Sequence, residues 1–219
     1  MPGRLLVGID ECQVKWCVGG ESREEIKRCG VIAPARAAEW FRQLLEGLQF
    51  AHNMGVVHRD LKPENVMIVE AQGGPDQLKD ELKIMDFGLA KVLDGGTGVT
   101  ESLTKDGAVM GTFGYMAPEV FTGGPVDERA DIFAIGVMTV ETLVGERPFG
   151  GQTTHEVLTT LLNSEYHLPG ESIEIRALDA VVQRCLAKDP RDRYGSASEA
   201  ANELVPALAR CERFEHANG

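Results

Sequence analysis

Residues 58–65 read His58-Arg59-Asp60-Leu61-Lys62-Pro63-Glu64-Asn65. Two short apolar runs flank this polar octet, Val56-Val57 before it and Val66-Met67-Ile68-Val69 after it. The pattern predicts two short strands joined by a loop that collects acids, bases and an amide. Taken singly, Asp60 reads as well as a helix cap or surface carboxylate as it does as a functional acid, since Asp so often caps and turns.

Upstream, Ala38, Phe41, Leu44, Leu45, Leu48 and Ala51 recur at three- and four-residue steps, which predicts a helix over 35–53 closed by Asn53 and Gly55. Downstream, residues 71–80 contain Gly73-Gly74-Pro75 and read as a turn, and Leu82-Lys83-Ile84-Met85 as a third short strand. Residues 93–114 are polar and rich in Gly and Thr, and a loop of that length inside a domain is usually functional. From Asp127 onward the chain reads as helical. Asp127 would cap a helix running to about Gly145, and Thr153 or Thr154 a second ending near Glu165. A third helix covers 176–187, and Ser196 or Ser198 opens a fourth with Glu199 at its positive end. The fold class is therefore mainly α, a helical bundle with a few short β-strands in its first third.

The chain has 219 residues, 43% of them hydrophobic, which is enough for one domain with a real core. A net charge of −12 argues against nucleic acid and anionic membranes as partners and permits a cationic one. Five cysteines at irregular spacings, with no C-x-x-C pair, suggest neither a zinc site nor a disulfide framework. Reduced thiols in the cytoplasm, or in the nucleus, are the expectation. Residues 5–9 are too short an apolar patch for a signal peptide, and Ile132 to Val140, interrupted by Glu141, reads as a buried helix instead of a membrane span.

Twenty-one residues beyond Asn65 stands Asp86-Phe87-Gly88, and thirty-one beyond Asp86 stands Ala117-Pro118-Glu119. With the octet, these three motifs in this order resemble the serine/threonine branch of the protein kinase family. The resemblance covers roughly residues 14–209 and implies the large, helical lobe of a kinase-like fold, preceded by a divergent segment, 1–13, and followed by a tail, 210–219. It implies transfer of the ATP γ-phosphate to protein hydroxyls with Mg²⁺. Phosphoryl transfer asks for positioning and charge neutralisation more than covalent chemistry, and these residue types supply both. In the resemblance Asp60 orients the attacking hydroxyl and takes its proton, and Lys62 places a charge near the moving phosphate. Asn65 and Asp86 offer the hard oxygen ligands that magnesium prefers.

The same resemblance sets Lys15, Cys17, Glu21, Lys62, Glu64, Asn65, Met67 and Asp86 about the nucleotide, Lys15 and Cys17 through a hinge-like stretch, Val14 to Glu21. It stacks His58 on Phe87, with Gly88 following, and has Asp131 accept hydrogen bonds from the loop backbone. It pairs Glu119 with Arg193, and it bonds Thr112 to Asp60 and Lys62. Arg59 beside Asp60 implies control by a phosphate in the long loop. Thr100, Ser102 and Thr104 are candidates, and Thr104, eight residues before Thr112, is the one chosen. Glu21, Glu64 and Glu141 match positions where acids hold an arginine upstream of the acceptor, so the partners implied are proteins, Arg-rich ones included.

No G-x-G-x-x-G followed by a strand lysine occurs in these residues, so the small lobe that covers ATP is missing from the pattern. The expectation is an incomplete kinase with little catalysis of its own and apolar surface bared around Trp16, Met67 and Phe87. Two rivals remain, a kinase-like scaffold that binds partners without catalysis and a small-molecule phosphotransferase.

Overall fold

The computed structural model describes residues 32–70, 80–87 and 113–211. Helix α1, Pro34–Asn53, starts with proline in its first turn and buries Ala37, Ala38, Phe41, Leu44, Leu45, Leu48 and Ala51, the face its apolar spacing predicts. It closes through Met54 onto Gly55, whose φ of +75° suits glycine. Strands β1, Val66–Glu70, and β2, Asp80–Ile84, form an antiparallel pair in which Val66 faces Ile84 and Glu70 faces Asp80.

Strand β2 begins two residues before the apolar run because α1 grips its polar start. Asp80 Oδ2 accepts from Arg36 Nε at 2.8 Å and from Trp40 Nε1 at 2.6 Å. Gln43 donates to the Asp80 carbonyl at 2.8 Å and accepts from the Leu82 amide at 2.9 Å, satisfying backbone groups on the edge of β2. Val56-Val57 is not a strand. The Val56 amide bonds back to the Ala51 carbonyl at the end of α1, so the chain leaves the helix without a ladder partner among the described residues. Among the described residues, β1 and β2 are the sheet.

After α2, Pro118–Thr122, comes the central helix α3, Arg129–Val144, buried from Ala130 to Leu143. A helix apolar all round belongs inside a core, and α1 and α5 both pack on it. Asp127 does accept from the Arg129 amide, at 2.9 Å, and Gly145 ends the helix at φ +85°. Gly136 permits the closest crossing: a Cβ there would lie 2.8 Å from Cys185 Cβ and 2.9 Å from Leu186 Cδ2. Helix α4, Thr154–Asn163, is capped by Thr153; α5, Ile173–Cys185, is capped by Ser172 and so starts three residues before the predicted position. Helix α6, Ala197–Arg210, is capped by Ser196 and lies along α1, where the Ser198 amide donates to Gln49. The turn 71–79 and most of the long loop fall outside the described residues.

Candidate active site

The loop of residues 58–65 hangs from one buried carboxylate. Asp131, in the first turn of α3 and fully buried, accepts from the His58 amide at 2.9 Å and the Arg59 amide at 2.8 Å. His52 Nε2, from the last turn of α1, lies 2.8 Å from the same side chain. A buried charge is tolerable only with such donors. Reaching both amides bends the chain, and Arg59 sits at φ +64°. Asp86 at φ +57° is the other non-glycine residue in this region among those described. Backbone held there costs about 1–3 kcal/mol per residue and gathers at functional sites.

Asp60 follows directly and is half-buried. Its Oδ2 lies 2.6 Å from Lys62 Nζ and 3.3 Å from Asn65 Nδ2, and Asn65 also donates to the Asp60 carbonyl at 2.7 Å. Committing the amide nitrogen to Asp60 leaves the Asn65 carbonyl oxygen for another partner. The short 3-10 turn Pro63–Asn65 sets this spacing and feeds straight into β1. The Met85 amide bonds to the main-chain carbonyl of Asn65 at 2.8 Å, which brings Asp86, one residue on, to the same end of the hairpin. Asp86 is exposed.

His58 closes the circuit. Its Nε2 donates to the Met85 carbonyl at 2.8 Å and its Nδ1 accepts from the Asp60 amide at 3.3 Å, an assignment that puts the ring proton on Nε2. Its ring packs on Phe87, edge-on, at 62° and 4.9 Å between centroids. Met67 is only 6% exposed, so the expected bare apolar surface does not form there.

Glu119 and Arg193 form a bidentate pair, with Arg193 Nη1 and Nη2 at 2.8 and 2.7 Å from the two carboxylate oxygens. Arg193 spends its remaining donors on the carbonyls of Ala187, Arg129 and Lys188. A crevice lined by Arg59, Asp60, Tyr115, Met116 and Ala117 separates the loop from the segment entering α2.

Lys15, Cys17, Glu21, Gly88, Thr104 and Thr112 lie outside the described residues. Glu64 is half-buried, and Glu141, expected to receive a ligand's arginine, is 6% exposed with its Oε2 taken by the Tyr115 hydroxyl. Burial and the Glu141 and Glu64 charges push the Tyr115 phenol far up, with Arg147 opposing. Sequence reasoning missed His52, Tyr115, Arg147 and Lys188. His52 carried one legible sign, a position in the last helical turn ahead of the octet.

The Protein kinase domain family matches residues 13–205. A probable serine/threonine-protein kinase PknB of Corynebacterium glutamicum is 35% identical over 192 residues, covering 85% of this chain and 28% of the relative. Serine/threonine-protein kinase PknJ of Mycobacterium tuberculosis is 35% identical over 197 residues, 87% of this chain and 32% of the relative. Serine/threonine-protein kinase PknB of Mycobacterium tuberculosis is 36% identical over 186 residues, 84% and 28%. The chain thus spans about a third or less of the length of these relatives.

Proposed function

The chain belongs to the protein kinase family, and from that premise we propose that it carries the catalytic lobe of a serine/threonine protein kinase, acting with ATP and Mg²⁺. The observation that supports this reading is Asp60 held at 2.6 Å by Lys62 and steadied by Asn65, whose main-chain carbonyl accepts from the amide of Met85, the residue before Asp86. On this reading the acceptor hydroxyl gives its proton to Asp60 as its oxygen bonds to the γ-phosphorus, and the bond from that phosphorus to ADP breaks. Lys62, paired with Asp60 in this structure, neutralises the phosphoryl oxygens as they move.

Mg²⁺ fits the donors present. Asn65 and Asp86 offer amide and carboxylate oxygens, and magnesium is commonly held by one or two such groups plus phosphates. Among the described residues no three His, Cys, Asp or Glu side chains gather into a cage of their own. Lys15, Cys17, Glu21, Glu64 and Met67 complete the proposed nucleotide side. Residues 14–209 form the proposed kinase unit, and Thr104 its proposed phosphate switch acting on Arg59. Among the described residues no helix is long and apolar enough to cross a membrane, and the proposed setting is the cytoplasm. The proposed acceptors are proteins, and the net charge of −12 favours those with arginine near the hydroxyl.

Because these 219 residues contain no Gly-rich loop with a strand lysine, we infer that by themselves they turn over slowly. That same fact favours a second reading, a kinase-like binding module. Melting the chain against Mg-ATP separates the two. Site-bound nucleotide at 100 times its Kd adds about 2.7 kcal/mol, seen as a rise in Tm that Asp86→Asn abolishes. No rise at millimolar Mg-ATP would leave the binding module standing.

A further inference from the structure

Away from the catalytic loop, two cations share one pair of aromatic rings, and the phosphotransfer step uses neither. Phe133 of α3 and Phe149, just past the end of that helix, stack at 5.9 Å and 12°, and both are sealed from water. Lys188 and Arg193 reach them from the turn between α5 and α6. The Arg193 guanidinium carbon lies 5.0 Å from the centre of the Phe133 ring, and Lys188 Nζ lies 3.8 Å from the centre of the Phe149 ring. Their circumstances differ. Arg193 commits every N–H, to the Glu119 carboxylate and to the carbonyls of Ala187, Arg129 and Lys188. Lys188 Nζ is buried and has no hydrogen-bond partner among the described residues.

A ring face attracts an ammonium, but N–H groups left without water or an acceptor are costly. Burial first and then the Arg193 charge bring the Lys188 pKa down to about 8, with Glu165 opposing. At about pH 7.5 roughly a quarter of such amines are uncharged, against about one in a thousand for a lysine in water. An uncharged amine beside another cation and away from water is a nucleophile. Its surroundings admit only a small, apolar electrophile, because Nζ offers no surface to water and faces a phenyl ring. We propose that Lys188 is a carbon dioxide site. The nitrogen lone pair bonds to the carbon of carbon dioxide, one C=O pair shifts onto oxygen, and the nitrogen releases a proton to water, leaving a carbamate. An anion then stands where a cation stood, so repulsion from Arg193 becomes attraction. Arg193 also holds Glu119, at the start of α2. Carbon dioxide thereby tightens the tie between the α5–α6 turn and the segment that faces the catalytic loop, whether or not phosphate is transferred there. A lysine that only packs on rings would take up no carbon dioxide.

The whole chain is equilibrated at about pH 7.5 with isotopically labelled bicarbonate, the source of carbon dioxide. Carbamates are then fixed by O-ethylation with triethyloxonium and located by peptide mass spectrometry. The chain's α-amino group, whose pKa is also near about 8, is the positive control. Lys188 should carry the ethylated carbamate at least about tenfold above any other lysine, within the excess of uncharged amine that separates them. Concentrated urea, which returns Nζ to water, should erase that excess. Label on the α-amino group with none on Lys188 would overturn the proposal, and so would an excess that survives urea. A second readout needs no trapping. At fixed pH and ionic strength, dissolved carbon dioxide should raise the Tm of the unsubstituted chain by mass action and leave that of Lys188→Met in place. Equal rises in both chains would overturn the proposal as well. If Lys188→Met melts too early to compare, the trapping decides alone.

Discussion

Lys188 holds its ammonium 3.8 Å from the centre of the Phe149 ring, with no hydrogen-bond partner for Nζ. Burial first, then the Arg193 charge, pull its pKa down to about 8, against Glu165. The unfolded side chain still holds its proton up to about 10.4. Above pH 8 the unfolded state therefore binds more protons than the folded one at this position, and stability from Lys188 rises with pH between those limits. The buried Cys185 thiol, pushed up to about 12 by burial, acts in the opposite sense once unfolded thiols begin to ionise. Lys188→Met carries the same thiol, so a comparison of the two chains over pH 8 to 9 cancels it. There the urea midpoint of the unsubstituted chain should climb relative to Lys188→Met, and equal slopes would show that the ammonium is not desolvated. Asp131 poses a sharper case. Asp131→Ala strands the His58 and Arg59 amides and should cost about 2–5 kcal/mol in urea unfolding. Asp131→Asn, which keeps one acceptor oxygen, should cost less.

Among the elements, the contact of α3 with α5 is the tightest to test. Gly136→Ala must move Cys185 and Leu186, and overpacking of this kind costs about 1–3 kcal/mol. The same change at Gly150, whose Cβ would meet nothing within 4 Å, should be close to neutral in the same melt. The helices were the most legible part of the sequence because their reasons are local. The apolar stripe of α1 and the caps at Thr153 and Ser196 lie within a turn of the backbone they organise. Val56-Val57 misled because β-branched residues say only that a strand is acceptable, and among the described residues no neighbour offers a ladder. The early start of β2 at Asp80 was illegible for the opposite reason: its partners Arg36, Trp40 and Gln43 stand some forty residues upstream. In the candidate site the octet and Asp86 could be read from residue type and spacing. The Tyr115 and Arg147 cluster could not, since it depends on the space left by Gly114.

At the scale of the molecule, long-range charged contacts hold the helical body to the loop it presents. Glu119 and Arg193 are 74 residues apart and both nearly sealed from water. Glu119→Gln leaves a guanidinium buried without its counter-charge and should cost about 3–5 kcal/mol. Arg193→Met should cost more, because the Ala187, Arg129 and Lys188 carbonyls lose a donor as well. Thermal unfolding of both variants, with equal losses as the contrary result, checks that order. The Asp131 anchor carries a consequence for how the protein comes into being. Its partners His58 and Arg59 precede it by 73 and 72 residues, so a ribosome that has just finished the loop has not yet made the residue that shapes it. At roughly 5–20 residues per second, translation must continue for about 4–15 s before the bend at Arg59 can be locked. During that interval the nascent polypeptide carries its reactive groups unassembled, a built-in delay between making the parts of this centre and arming it.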